Sequence, residues 1–254
     1  MKDLPPCPPH DRVQKSFRRG LATYHGTATH QADIAARLAL QLAQAGAPKS
    51  FAKVLEFGCG TGHLTVQLRT KFTIAALTLN DLVPECAVYA GAKDTFLPGP
   101  IEALNVPNGL DLICSASTVQ WLDDIPATLD RLSQALVPGG WMALSGFGNA
   151  QFHELRVLGS EAAAPSYVDA EDWHALLPSA LKIKHLSQAR RVAWFPNAMH
   201  LLKHLRDTGV NGAATKAWSQ SALKTFETQY RQRFGTPQGL PLTYDPVWIV
   251  AQKT

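Results

Sequence analysis

The chain is poor in the features that mark secreted, membrane-spanning or nucleic-acid-binding proteins. It has only four cysteines in 254 residues. Cys7, Cys59, Cys86 and Cys114 stand far apart, with no C-x-x-C pair and no histidine spacing suited to zinc, so reduced thiols and no metal site are expected. No apolar run is long enough to cross a bilayer, and the proline-broken start, Met1-Lys-Asp-Leu-Pro-Pro-Cys-Pro-Pro, lacks the apolar centre of a signal peptide. The expectation is a cytoplasmic protein without a membrane partner. Charge is also scarce: charged residues make up 17% against 46% hydrophobic, and the net charge of +4 argues weakly for an anionic partner. No basic domain is appended, and the motifs used to attack nucleic-acid bases are missing, which disfavours a nucleic-acid substrate.

What is present is alternation. Asp11 to Gly20 and Thr27 to Ala45 read as helices, the second with Ile34, Leu38 and Leu42 on one stripe. From Phe51 the pattern turns to strands at 53–57, 72–80, 95–97, 110–115 and 141–147, with helices starting near Thr61, Pro84 and Asp124, which predicts a mostly parallel sheet covered on both faces. Beyond Gly148 the regularity fails. Helical patterns at 152–163 and 170–177 precede a strand-like stretch from Leu181 to Phe195, helices around 197–208 and 219–234, and a last strand from Leu242 to Ala251. One domain over 1–254 is expected: amino-terminal helices in 1–50, a ligand-binding core in 51–150, lid helices and a sixth strand in 151–240, and a last strand in 241–254.

The most informative local pattern is Glu56-Phe-Gly58-Cys59-Gly60-Thr-Gly62 at the end of the first strand. Three glycines bare the backbone where a parallel sheet places its ligand, and Thr61 could cap the helix that follows. A dinucleotide site would need its third glycine where His63 stands. The spacing instead resembles the class I, Rossmann-like S-adenosylmethionine-dependent methyltransferases. That resemblance implies an α/β fold of seven strands, mostly parallel with an antiparallel last strand, and S-adenosylmethionine as cofactor. It also implies Glu56 steadying the loop, Asp81 with Asn80 and Leu82 at the ribose, and Ile101 with Glu102 at the adenine, Pro100 standing where relatives often carry an acid. Asp81 equally suits a helix cap.

Longer segments carry a narrower resemblance. Ser16-Phe-Arg-Arg-Gly-Leu-Ala-Thr-Tyr24 with Ala28 and Gln31, Ser115-Ala-Ser-Thr-Val-Gln120-Trp121, Phe147-Gly-Asn-Ala-Gln-Phe152 with Glu154-Leu-Arg156, and Pro241-Leu-Thr-Tyr244 are similar to the malonyl-acyl-carrier-protein O-methyltransferases that begin pimelate synthesis for biotin. Asp245 departs from them where histidine is common. The resemblance implies methylation of the free carboxylate of a malonyl thioester on acyl-carrier protein or coenzyme A. A carboxylate is already ionised at neutral pH, so no catalytic base is expected and His25, His30 and His63 are read as structural. Binding and alignment fall to other groups. Arg191, Arg190, Arg18 and Arg19 are the candidate anchors for the carboxylate, with Arg191 preferred; Trp121 and Tyr244 are candidates to close the pocket. Tyr24, Gln31, Ser115 and Gln120 are candidates for the cofactor, and Lys182, Lys184, Lys203 and Arg206 for an acidic carrier. Methylation of another small acceptor, such as a quinone or polyketide acid, and a non-catalytic role as a partner subunit remain the competing readings.

Overall fold

The computed structural model describes residues 10–27, 29–160, 164–208 and 219–254, except the side chains of residues 12 and 22–27. The elements run α1 (His10–Thr27), α2 (Thr29–Gln44), β1 (Ser50–Phe57), α3 (His63–Lys71), β2 (Thr73–Asp81), β3 (Thr95–Pro98), β4 (Leu110–Ala116), α4 (Ile125–Ala135) and β5 (Leu136–Phe147). Then follow α5 (His153–Val157), α6 (Trp173–Leu176), β6 (Leu181–Gln188), β7 (Arg191–Phe195), α7 (Ala198–Asp207), α8 (Gln220–Phe234), β8 (Leu240–Tyr244) and β9 (Pro246–Lys253).

Seven strands form one sheet in the order β3-β2-β1-β4-β5-β9-β6. The first five are parallel, and β9 lies antiparallel to both β5 and β6. This is the expected Rossmann-like methyltransferase architecture. The order reverses between β1 and β4, and a parallel α/β sheet opens its ligand crevice at that point, beyond the carboxyl ends of the strands. Both faces of the sheet are covered. Leu38 and Leu42 of α2 share one core with Val54, Leu79 and Trp248, while Leu129 and Leu132 of α4 share the other with Leu55, Ile113 and Met142. Each fully buried Leu or Ile contributes roughly 1.5–3 kcal/mol, so the two apolar layers hold the strand ends still.

The tail departs from the sequence expectation. The stretch from Leu181 to Phe195 is two strands, and so is the stretch from Leu240 to the carboxyl end: β6 and β9 pair in the large sheet, β7 and β8 in a separate two-stranded one. The break falls at Ala189–Arg190 and at Asp245. Pro246 has no N–H to continue the ladder, although its carbonyl still accepts from the Ala189 amide at 3.1 Å. The Asp245 carboxylate, fully buried, takes the Ala150 amide at 3.0 Å and Gln188 Nε2 at 2.9 Å instead. A periodicity of two runs through both strands of each pair, so pattern alone could not show the bend.

The expected helix over 152–163 shrinks to α5, because Phe152 enters a left-handed conformation (φ 52°) to bury its ring and Gly159 (φ 75°) turns the chain out. The expected helices at Pro84 and Ala170 begin as 3-10 turns, Pro84–Tyr89 and Ala170–Asp172. Among the described residues no helix is long and apolar enough to cross a membrane.

Candidate functional site

The loop after β1 is shaped by positive φ at Gly58 (65°), Gly60 (52°) and Gly62 (83°). Gly58 is glycine for a second reason: a Cβ there would lie 2.1 Å from Thr118 Oγ1, in the loop after β4. Gly62, not Thr61, is the N-cap of α3, and no side chain caps that helix. Its backbone closes the turn on Cys59 O at 2.9 Å, and the Cys59 amide reaches Asn80 O at 3.0 Å. Cys59 itself is buried, and that burial pushes its thiol far up, which makes it inert packing.

Two buried carboxylates flank the loop in different roles. Asp81 accepts the Gly60 amide at 2.8 Å and the Val83 amide at 2.8 Å, joining the loop to the turn after β2. Burial raises its pKa, and the two amides oppose that rise. Glu56 accepts from Thr65 Oγ1 at 2.7 Å, which ties β1 to α3; burial pushes it up to about 8. Asn80 Nδ2 donates to Leu97 O and Gly99 O, both at 2.8 Å, and so fixes the third strand's exit.

These strand ends border a cavity of about 870 Å³ including its open mouth. Its floor and walls include Gly58, Gly60, Asn80, Asp81, Leu82, Ile101, Glu102 and Trp121, so eight of the residues singled out from the sequence meet here. Its roof was not expected. His10, Val13, Phe17 and Leu21 of α1 line it, whereas no described residue of 151–240 does. Helix α1 is fastened by Gln14 Nε2 to Leu82 O (2.6 Å), Arg18 to Glu85 (2.7 Å) and His10 to Asp123 (3.6 Å), and Phe17 meets Trp121 edge-on with ring centroids 5.5 Å apart. Phe17, Ser117, Thr118 and Leu122 also line the cavity and were missed from sequence. The i, i+4 row Val13, Phe17, Leu21 was a usable signal for the roof. The positive φ of Ser117 (58°), which turns the β4 loop inward, was not.

The remaining candidates lie outside the lining. Ser115 Oγ is spent on Phe57 O at 2.7 Å within the core. Gln120 Nε2 donates to Ser117 O at 2.6 Å, leaving its buried Oε1 without a hydrogen bond; Gln31 Oε1 and Ser117 Oγ are likewise buried without one. The Tyr24 side chain lies outside the described residues. Tyr244 does not wall the cavity: it is buried, stacked on His30 at 4.4 Å, and shares a 2.6 Å hydrogen bond with His204. Burial lowers both histidines, His204 to about 4, so both are neutral near pH 7. Arg191 pairs with the exposed Asp33 at 3.7 Å, Arg190 lies 3.6 Å from the buried Asp245, and Arg19 Nε donates to Lys15 O at 3.3 Å.

The cavity suits an elongated polar ligand with an apolar ring. One side presents the side-chain-free Gly58 and Gly60, the Asp81 carboxylate and the unsatisfied Ser117 hydroxyl; the other presents Ile101, Phe17 and Leu122.

A family model described as "Methyltransferase domain" matches residues 28–211. A malonyl-[acyl-carrier protein] O-methyltransferase of Prosthecochloris aestuarii is 32% identical over 95% of this chain and 92% of its own length. A protein of the same name in Bacteroides fragilis is 34% identical over 95% of this chain, which spans 50% of that longer relative. Among solved structures, the N-methyltransferase NodS of Bradyrhizobium japonicum, in complex with S-adenosyl-L-homocysteine, superposes with a TM-score of 0.53 at 17% identity, covering 95% of this chain and 98% of its own. The chain belongs to the malonyl-[acyl-carrier protein] O-methyltransferase family of the methyltransferase fold.

Proposed function

We propose that the chain transfers a methyl group from S-adenosylmethionine to the free carboxylate of a malonyl thioester carried on acyl-carrier protein, giving the methyl ester that opens pimeloyl and biotin synthesis. The observation that carries this reading is where the family-like segments meet: Phe17, from Ser16–Tyr24, and Trp121, from Ser115–Trp121, close on each other over the cavity. When bound, the cofactor supplies a sulfonium methyl group open to displacement. The Asp81 carboxylate and the side-chain-free backbone of Gly58 and Gly60 hold the nucleoside end, Ile101 and Glu102 border it, and Ser117 offers an unsatisfied hydroxyl to its amino-acid end. The rings of Phe17 and Trp121 exclude water.

A carboxylate acceptor needs no proton removed; His30 and His204 are neutral and lie outside the lining, and His10, which does line it, is paired with Asp123. The barrier is then lowered by alignment, which can supply roughly 7–11 kcal/mol. Arg191 is the anchor we assign to the malonyl carboxylate. Its partner Asp33 is exposed and exchangeable, whereas Arg190 faces a buried carboxylate that would be left unbalanced without it. In this reading the whole chain, 1–254, works as one domain in the cytoplasm, with residues 151–240 shaping acceptor access.

The test is mass measurement on malonyl-acyl-carrier protein incubated with the chain and S-adenosylmethionine. One added methyl group, removed by base hydrolysis, is expected. Cofactor binding by equilibrium dialysis without any methylated carrier, together with turnover on a quinone or polyketide acid, would replace the acceptor.

A further inference from the structure

Positive charge is unevenly placed. Helices α1, α7 and α8 hold nine Lys or Arg residues against three Asp or Glu, a surplus of six, whereas the whole chain carries a surplus of four. The rest of the molecule is therefore net negative. These three helices form one layer, since α7 touches both α1 and α8. The layer adjoins the site, because α1 is also the cavity roof. On α1 the two roles separate by face: Val13, Phe17 and Leu21 point down to the cavity, and Lys15 and Arg19, about 200° around the helix from Val13 and Phe17, point to solvent. Lys15, Arg19, Lys224 and Arg233 are exposed and form no ion pair among the described residues, so their charge is not cancelled locally.

The lysines of β6 make an instructive contrast. Lys182 pairs across the ladder with Gln252, which pairs with Trp141, at the amino-terminal end of the parallel strands. Lys182 thus sits away from Gly58 and Ser117, and neither Lys182 nor Lys184 lines the cavity.

Resting on the methyl-transfer reading above, we infer that the α1–α7–α8 layer is the docking face for the carrier, a protein that presents an acidic surface and delivers the malonyl thioester on a flexible arm under the edge of α1. Opposite charge over this face steers the encounter and is screened by salt. Lys15 and Lys203 mark two of its helices, and neither lines the cavity.

The experiment compares two acceptors, malonyl-acyl-carrier protein and the uncharged-carrier analogue malonyl-N-acetylcysteamine, with the wild type, Lys15→Glu/Lys203→Glu and Lys15→Gln/Lys203→Gln. The charge reversal is expected to raise KM for the carrier-bound acceptor by about tenfold or more, the neutralised pair by less, and both to leave the small thioester's kcat and KM within about twofold. Wild-type KM for the carrier should rise with salt, and the reversed variant should lose that dependence. An unchanged carrier KM, or equal losses on both acceptors, overturns the docking face while leaving the methyl-transfer reading intact. A wild type that binds cofactor yet methylates neither acceptor overturns the reading of function, and the docking face with it.

Discussion

The two ends of the molecule's chemistry are built in opposite ways. At the glycine loop, groups from neighbouring strand ends are held by backbone: amides of Gly60 and Val83 on Asp81, carbonyls of Leu97 and Gly99 on Asn80. At the β7–β8 sheet the pieces come from distant segments and are held by side chains, with Asp245 gathering Ala150, Gln188 and Arg190, and Tyr244 gathering His30 and His204. Local backbone geometry prepares one place for the cofactor. Long-range side-chain knots hold the other.

The comparison can be broken most forcibly at Asp245. Asp245→Ala leaves the part-buried Ala150 amide and the Gln188 amide without their acceptor, and a destabilisation of about 1–3 kcal/mol for each is expected in chemical denaturation. Cofactor affinity of the folded fraction should be unchanged; a coupled loss of affinity would show that the two regions are one. The converse is Gly58→Ala, which meets Thr118 and a positive φ together and should weaken cofactor binding by on the order of a hundredfold in equilibrium dialysis, with a lowered Tm from the same strain. Adding Thr118→Gly should recover part of that loss, and no recovery would assign the whole effect to the backbone angle.

Arg191→Ala sharpens the contrast at the acceptor. KM for the malonyl acceptor should rise roughly 10- to 100-fold, the worth of a charge-assisted hydrogen bond, while the cofactor constant stays put. If KM does not move, the anchor lies elsewhere. The smallest effect concerns pH. The His204 imidazole falls to about 4 in the folded chain against 6.5 unfolded, so it contributes stability that is complete above 6.5 and is lost as pH falls toward 4. His204→Gln should flatten the decline of Tm across that window by roughly 2–4 °C, leaving the part due to His30. An identical pH profile in the variant would place the acid sensitivity in other groups.

Much of the first region was legible in the residues. The strand before Gly58, the glycine spacing and Asn80-Asp81 at the end of β2 lie in contiguous segments, and the chemistry of each follows from residue type and position along a strand. Thr118 was not legible, and Phe17 was so only as part of an apolar row, because their place depends on which loop and which helix fold back over the strand ends. Which helix roofs the cavity was hidden for the same reason: an amphipathic helix states which face is buried, not what it is buried against.

The sequence by itself determined the alternating α/β layout, the glycine turn and the segments that mark the family, since these rest on short-range periodicity, backbone freedom and residue identity. Only the tertiary structure decided that α1 roofs the cavity, that the two tail stretches divide between two sheets at Ala189–Arg190 and at Asp245, that Tyr244 is core, and that positive charge collects on one helical layer. Each of those depends on contacts between residues tens to hundreds of positions apart, whose pairing is settled by packing and the burial of charge rather than by any local pattern.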